Sequence, residues 1–193
     1  MIFRQISDSM ICALGANDQA KIDEMLVKIQ EMTRGNPDTI YTILNSIETG
    51  DHMQRAVAAM MLQRYEVLGL VLTPQYGEMI RTRLWRTIVG DDSRYSAVNA
   101  LLAMRLFYEK TLDGQEAVEA GLTALQEAFI ARIRIKQASI EGMDKEQIID
   151  KSIKDPSFRG ADLWATPSLR SEMPGLFAGW GRNNLMARAF PEE

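Results

Sequence analysis

The chain has 193 residues, a formal net charge of −4 at neutral pH, 46% hydrophobic and 25% charged residues, and a single cysteine. That length supports one domain, or one domain with an appendage, around a substantial core. The acidic balance predicts no large non-specific attraction to nucleic acid or an anionic membrane. Cys12 alone excludes an intramolecular disulfide and suits a reducing, cytoplasmic compartment.

In chain order, residues 3–14 form a first short helix with Phe3, Ile6, Met10 and Leu14 on one side, and Cys12 is read as a small buried residue there. Gly15 stops it. Asn17 or Asp18 caps a second helix in which Ile22, Met25, Leu26, Ile29 and Met32 keep helical spacing. Gly35 and Pro37 end it. The third helix runs over 38–48 with Ile40, Ile43, Leu44 and Ile47 inward and Gly50 behind it. Asp51 caps a fourth, which is apolar on most faces from Ala56 to Leu62 and belongs in the middle of a bundle. The apolar region 56–72 carries Gln63, Arg64 and Glu66 and is too short to span a membrane upright.

Thr73-Pro74 restarts the chain as a hydroxyl cap followed by proline at the first helical position. The fifth helix carries Tyr76, Met79, Ile80, Leu84, Trp85 and Ile88, with Arg81, Arg83 and Arg86 largely elsewhere on its surface. Gly90 stops it, and Asp91, Asp92 or Ser93 caps the sixth, which continues to the break at Gly114. The longest helix follows over 115–138, with Val118, Leu122, Leu125, Phe129, Ile133 and Lys136 in phase. Met143-Asp144 opens a short charged eighth helix to about Ile153. No stretch alternates with period two, so no sheet is expected. The fold class is all-α: an irregular bundle, or a short helical array, of seven or eight helices over residues 1–154.

At Asp155 the composition changes. Four of the six prolines fall in residues 155–193 (Pro156, Pro167, Pro174 and Pro191), with Phe158, Trp164, Leu169, Phe177, Trp180 and Phe190 spread between them. Disordered segments are usually poor in aromatics. Apolar anchors along an extended segment suit docking into a groove. Residues 155–193 are therefore read as an arm that docks, on its own helices or on another chain.

One short pattern occurs twice at an offset of 41 residues. Asp51, Ala56, Val57, Ala59 and Arg64 match Asp92, Ala97, Val98, Ala100 and Arg105. The second copy resembles the second-helix signature of HEAT-type repeats through Asp92, Arg94, Ala97, Ala100 and Leu101. Asp51, Arg55, Ala56, Ala59 and Met60 match it more loosely. The resemblance covers about 55 residues and implies a scaffold that presents a concave surface, not an active site.

Catalytic patterns are weak throughout. His52 is the only histidine, so no histidine cluster can bind a metal, and its place in the first turn of a helix suits capping better than a triad. Glu116 with Glu119, Glu146 with Asp150, and Asp91 with Asp92 read as caps or solvated faces. Gly175 to Gly181 lacks both the Lys-Ser/Thr of a phosphate loop and a preceding strand. No enzyme activity, cofactor, metal or small-molecule substrate is expected.

What remains points to binding. Arginine outnumbers lysine 15 to 7, and residues 55–105 contain seven arginines and no lysine. Arginine is favoured at protein interfaces, although intramolecular pairing with helix carboxylates is its competing use. The expectation is a non-enzymatic subunit or adaptor that contacts other proteins, or copies of itself, through Arg81, Arg83 and Arg86 and through the aromatic arm. The alternative is nucleic-acid binding by residues 131–159, through Arg132, Arg134, Lys136, Lys151 and Lys154. That segment holds seven basic against five acidic residues, where a phosphate-tracking surface is normally more one-sided.

Overall fold

The computed structural model describes residues 2–36, 38–63, 74–90 and 94–155. Its elements are eight α-helices: α1 (Ile2–Gly15), α2 (Gln19–Gly35), α3 (Thr39–Thr49), α4 (His52–Met61), α5 (Pro74–Gly90), α6 (Arg94–Thr111), α7 (Gln115–Ser139) and α8 (Lys145–Lys154). No strand occurs among the described residues. The protein is an all-α, multi-helix bundle, as its periodicity predicts.

Local chemistry sets the helix boundaries. Asn17 takes a left-handed φ of 53°, a conformation asparagine tolerates better than most residues. Asp18 then accepts the Lys21 backbone N–H at 3.0 Å to cap α2. At the next corner, Asp51 Oδ1 accepts the backbone N–H groups of Met53 and Gln54, each at 2.9 Å. Gln54 Oε1 accepts the Asp51 N–H in return at 3.1 Å. This capping box satisfies donors that the first turn of α4 leaves open. Asp144 and Gln147 form a second such box at the start of α8, and Pro74 opens α5 at its first position. The candidate caps Thr73, Asp91, Asp92 and Ser93 lie outside the described residues.

The helices fall into two units, Met1–Ile88 with Tyr95–Thr111, and Val89–Arg94 with Leu112–Glu193. In the first unit α1 packs on α2, α2 on α3, α3 on α4, and α4 back on α1. The contact of α1 with α4 closes a ring of four helices. Met10, Ile29, Ile40, Ile43, Leu44, Met61 and Leu62 fill this unit with no side-chain surface left to water. Ala56, Val57, Ala58 and Ala59 are likewise buried, so α4 is enclosed on nearly all faces, as its composition requires. Both copies of the 41-residue pattern occupy core positions, because Ala97 and Ala100 of α6 are buried as completely as Ala56 and Ala59. Gln63 Nε2 donates to Asn99 Oδ1 at 2.8 Å, joining the end of α4 to α6.

Cys12 is exposed, contrary to the sequence reading. Among the described side chains of α1, the buried ones are Ile6, Ser7, Met10 and Ala13. Position 12 lies two residues, and so about 200° of helical rotation, beyond Met10.

In the second unit α7 starts after Gly114, whose φ of 87° only glycine adopts freely. It buries Leu122, Leu125, Gln126, Phe129, Ile130, Ile133 and Lys136 along one stripe. Ile148 of α8 packs on Ile140 with Met143 beside it.

Candidate interaction surface

The residues that distinguish one part of the surface lie along α3 and α5. Tyr41 and Tyr76 meet with ring centroids 5.1 Å apart and planes tilted by 57°. Seven residues further along each helix, Glu48 Oε2 pairs with Arg83 Nη2 at 3.1 Å. Both pairs span the same offset of 35 positions. Seven residues are about two helical turns, or 10 Å, so α3 and α5 run side by side in the same direction. An opposite direction would separate the second pair by about 20 Å on the same geometry.

The seam is polar at one end and aromatic at the other. Arg86 Nη1 stands 3.8 Å from Glu48 Oε1, so two guanidinium groups share one carboxylate. Arg83 keeps 22% of its side chain exposed and Arg86 keeps 71%. Arg81 grips Glu78 through Nε at 3.1 Å and Nη2 at 2.7 Å. Its side chain remains 54% exposed. Such surface pairs contribute little to stability, about 0–1 kcal/mol. The hydrogen bond that the Tyr76 hydroxyl shares with Tyr41 as donor and, after it, burial raise that hydroxyl above its ordinary range.

The basic candidates of the C-terminal helices do not form one face. Lys136 is buried at 7% exposure, because it continues the apolar stripe of α7. Arg132, one turn before it, is partly buried and donates through Nη2 to the Gly90 carbonyl at 3.4 Å. Arg134 projects on the far side of the helix and is exposed. On α8, Lys151 is half-buried, and exposed Lys154 is paired with Asp150.

The arm residues Phe158, Trp164, Leu169, Phe177, Trp180 and Phe190 lie outside the described residues. So does the side chain of His52. Glu116 and Glu119 are exposed on α7, where Glu119 accepts from Gln115 at 3.0 Å. Among the described residues no three His, Cys, Asp or Glu side chains gather as a metal site would need. No described helix is long and apolar enough to cross a membrane.

Two grooves were not foreseen from the sequence. One, of about 420 Å³, lies between α1 and α2 over Ile6, Met25 and Met32. Lys21 and Lys28, which line it, both donate to Glu24, each at 2.7 Å. Those two ammonium groups lower the Glu24 carboxyl from 4.5 to about 2. A depressed carboxylate adds stability above its unfolded pKa and loses it as the pH falls through the folded value. Glu24→Gln is therefore expected to melt slightly below wild type at pH 7, with the gap closing between pH 4.5 and about 2. Thermal melts of both proteins at pH 7 and pH 2 check this, and an unchanged gap would contradict it. The second groove lies at the α7–α8 corner, about 440 Å³ in volume.

The Tyr41–Tyr76 seam also escaped sequence reasoning. Each residue was visible, but nothing in a single sequence says which helices become neighbours. The Lys21–Glu24–Lys28 spacing, by contrast, is a legible helical ion-pair pattern. Comparison with family models, curated proteins and solved structures finds no match for this chain.

Proposed function

We propose that the protein is a non-enzymatic assembly subunit or adaptor that binds other protein chains, or copies of itself, through the α3–α5 surface and segment 155–193. The supporting observation is the seam itself. It sets exposed Arg86 with Arg83 on Glu48, along the helix face that also holds Tyr76 against Tyr41, while exposed Arg81 lies on another face of that helix. Tyrosine and arginine are enriched at protein interfaces and at the residues that dominate binding energy. Arg86 is anchored only loosely, at 3.8 Å from Glu48, so its guanidinium is well placed to exchange that partner for a carboxylate on another chain.

The alternative of nucleic-acid binding by residues 131–159 has less support. A buried Lys136 and a Lys154 engaged with Asp150 leave too few outward cations for a phosphate-tracking face.

The test is quantitative co-purification of the tagged full chain from its native cells. Wild type is compared with Arg81→Glu/Arg86→Glu and with Phe177→Ala/Trp180→Ala. The expected result is a stoichiometric protein partner, or a second copy, that each pair of substitutions depletes at least tenfold. A variant-insensitive set of captured proteins would overturn the proposal. So would nucleic acid as the main captured component.

A further inference from the structure

The α7–α8 corner leaves apolar surface uncovered. Helix α8 has ten residues, of which only Ile148 is buried among those whose side chains are described. Ile149 is 45% exposed and Ile153, one turn on, is 75% exposed. A helix this short is marginal in water without tertiary packing. Beside Ile148 lies the groove of about 440 Å³, floored by Ile140 and Met143 with exposed Arg134 on its rim. An apolar floor beneath a guanidinium is the chemistry that receives an aromatic ring, through burial below and cation–π attraction above.

The sequence supplies such rings next door. The chain leaves α8 at Asp155 with an extended backbone, φ −123° and ψ 105°, and 38 residues follow. At about 3.3–3.6 Å per extended residue, Phe158 reaches about 10 Å from Asp155 and Trp164 about 30 Å. Both limits cover the one-turn distance from Ile153 to Ile149. A tether this short gives millimolar effective concentration, far above what a separate chain supplies.

We propose that the α7–α8 groove and the Ile149–Ile153 stripe are the seat of the first part of the chain's own C-terminal segment, residues 156–164, with Phe158 and Trp164 as the anchoring rings. The seat is intramolecular and stands whether or not the assembly reading does. It leaves Phe177, Trp180 and Phe190 to bind a partner.

The experiment uses the full chain carrying Trp85→Phe and Trp180→Phe, so that Trp164 is the sole indole. Its acrylamide quenching is expected to be at least threefold weaker than that of free N-acetyltryptophanamide, and unchanged over a hundredfold dilution. Ile149→Lys with Ile153→Lys, both at exposed positions, is expected to raise quenching at least twofold while the helical circular dichroism persists. If the lysine pair unfolds the chain, Arg134→Ala in the same background is read instead, with a rise expected again. Quenching equal to the free indole, or insensitive to these substitutions, overturns the proposal. Protection that disappears on dilution, with light scattering reporting a halved mass, also overturns it and assigns the seat to a second copy.

Discussion

Leu44→Ala is expected to lower stability by about 2–5 kcal/mol, the range for emptying a fully buried leucine site. Leu44 sits on α3, the helix that contacts α2 and α4 in the ring and lies alongside α5, and it has no exposed surface. Truncation removes buried apolar area and leaves a cavity in the core of the first unit. In a chain of this size each kcal/mol lowers the melting temperature by roughly 2–4 °C. A loss of about 4–20 °C is therefore expected by calorimetry or circular dichroism. Val27→Ala is the control. Val27 on α2 is 51% exposed, and its truncation is expected to change stability by about 0.5 kcal/mol or less. Equal effects at the two positions would mean that α3 is not central to the core.

Gly50→Ala is expected to destabilise by about 1–3 kcal/mol, the usual cost of forcing extra volume into a packed site. The sign is not obvious from the backbone. Gly50 has φ −70° and ψ 163°, which alanine adopts readily, and loss of unfolded-state entropy alone would stabilise by roughly 0.4–1 kcal/mol. Sterics decide the opposite. A Cβ at position 50 would lie 2.5 Å from the Ser46 carbonyl oxygen and 2.8 Å from Gln54 Cβ. Both neighbours are committed: Ser46 accepts the Gly50 N–H at 3.0 Å, and Gln54 closes the capping box on Asp51. Arg55 also donates to the Gly50 carbonyl at 2.7 Å. Relief of the clash would disturb the end of α3 and the start of α4 together. Gly15→Ala provides the contrast, because a Cβ there meets nothing within 4 Å. It is expected to be neutral or stabilising by up to about 1 kcal/mol. Matching destabilisation at positions 15 and 50 would refute the corner geometry.

The sequence was most informative where local chemistry decides the outcome. Asp18, Asp51 and Asp144 are cap-forming residues directly before helical periodicity, and each caps a helix. Pro74 fixes a first turn because its missing N–H costs nothing there. The inward phase of α7 was readable down to Lys136, whose burial follows from that phase and removes it from the basic surface on which its charge had placed it. Charge and periodicity gave opposing indications for this lysine, and periodicity prevailed. Cys12 failed for the converse reason. Its own chemistry suits burial, but its angular position on α1 does not. The tyrosine–arginine seam was unreadable in principle, since the offset of 35 residues acquires meaning only after α3 and α5 lie side by side.

The same distinction applies to function. Arg81, Arg83 and Arg86 were proposed as partner-binding residues from residue type alone, and the fold adds Tyr41, Tyr76 and Glu48 to Arg83 and Arg86 as one surface, with Arg81 about 200° around α5 from Arg83. Hydroxyl-radical footprinting of the full chain, isolated and within the assembly purified from its native cells, tests that surface most directly. Oxidation of Tyr41 and Tyr76 is expected to fall at least threefold in the assembly, while exposed residues on α2 such as Val27 react equally in both states. Equal tyrosine oxidation in the two samples, or a chain recovered from its cells only as a monomer, would contradict it.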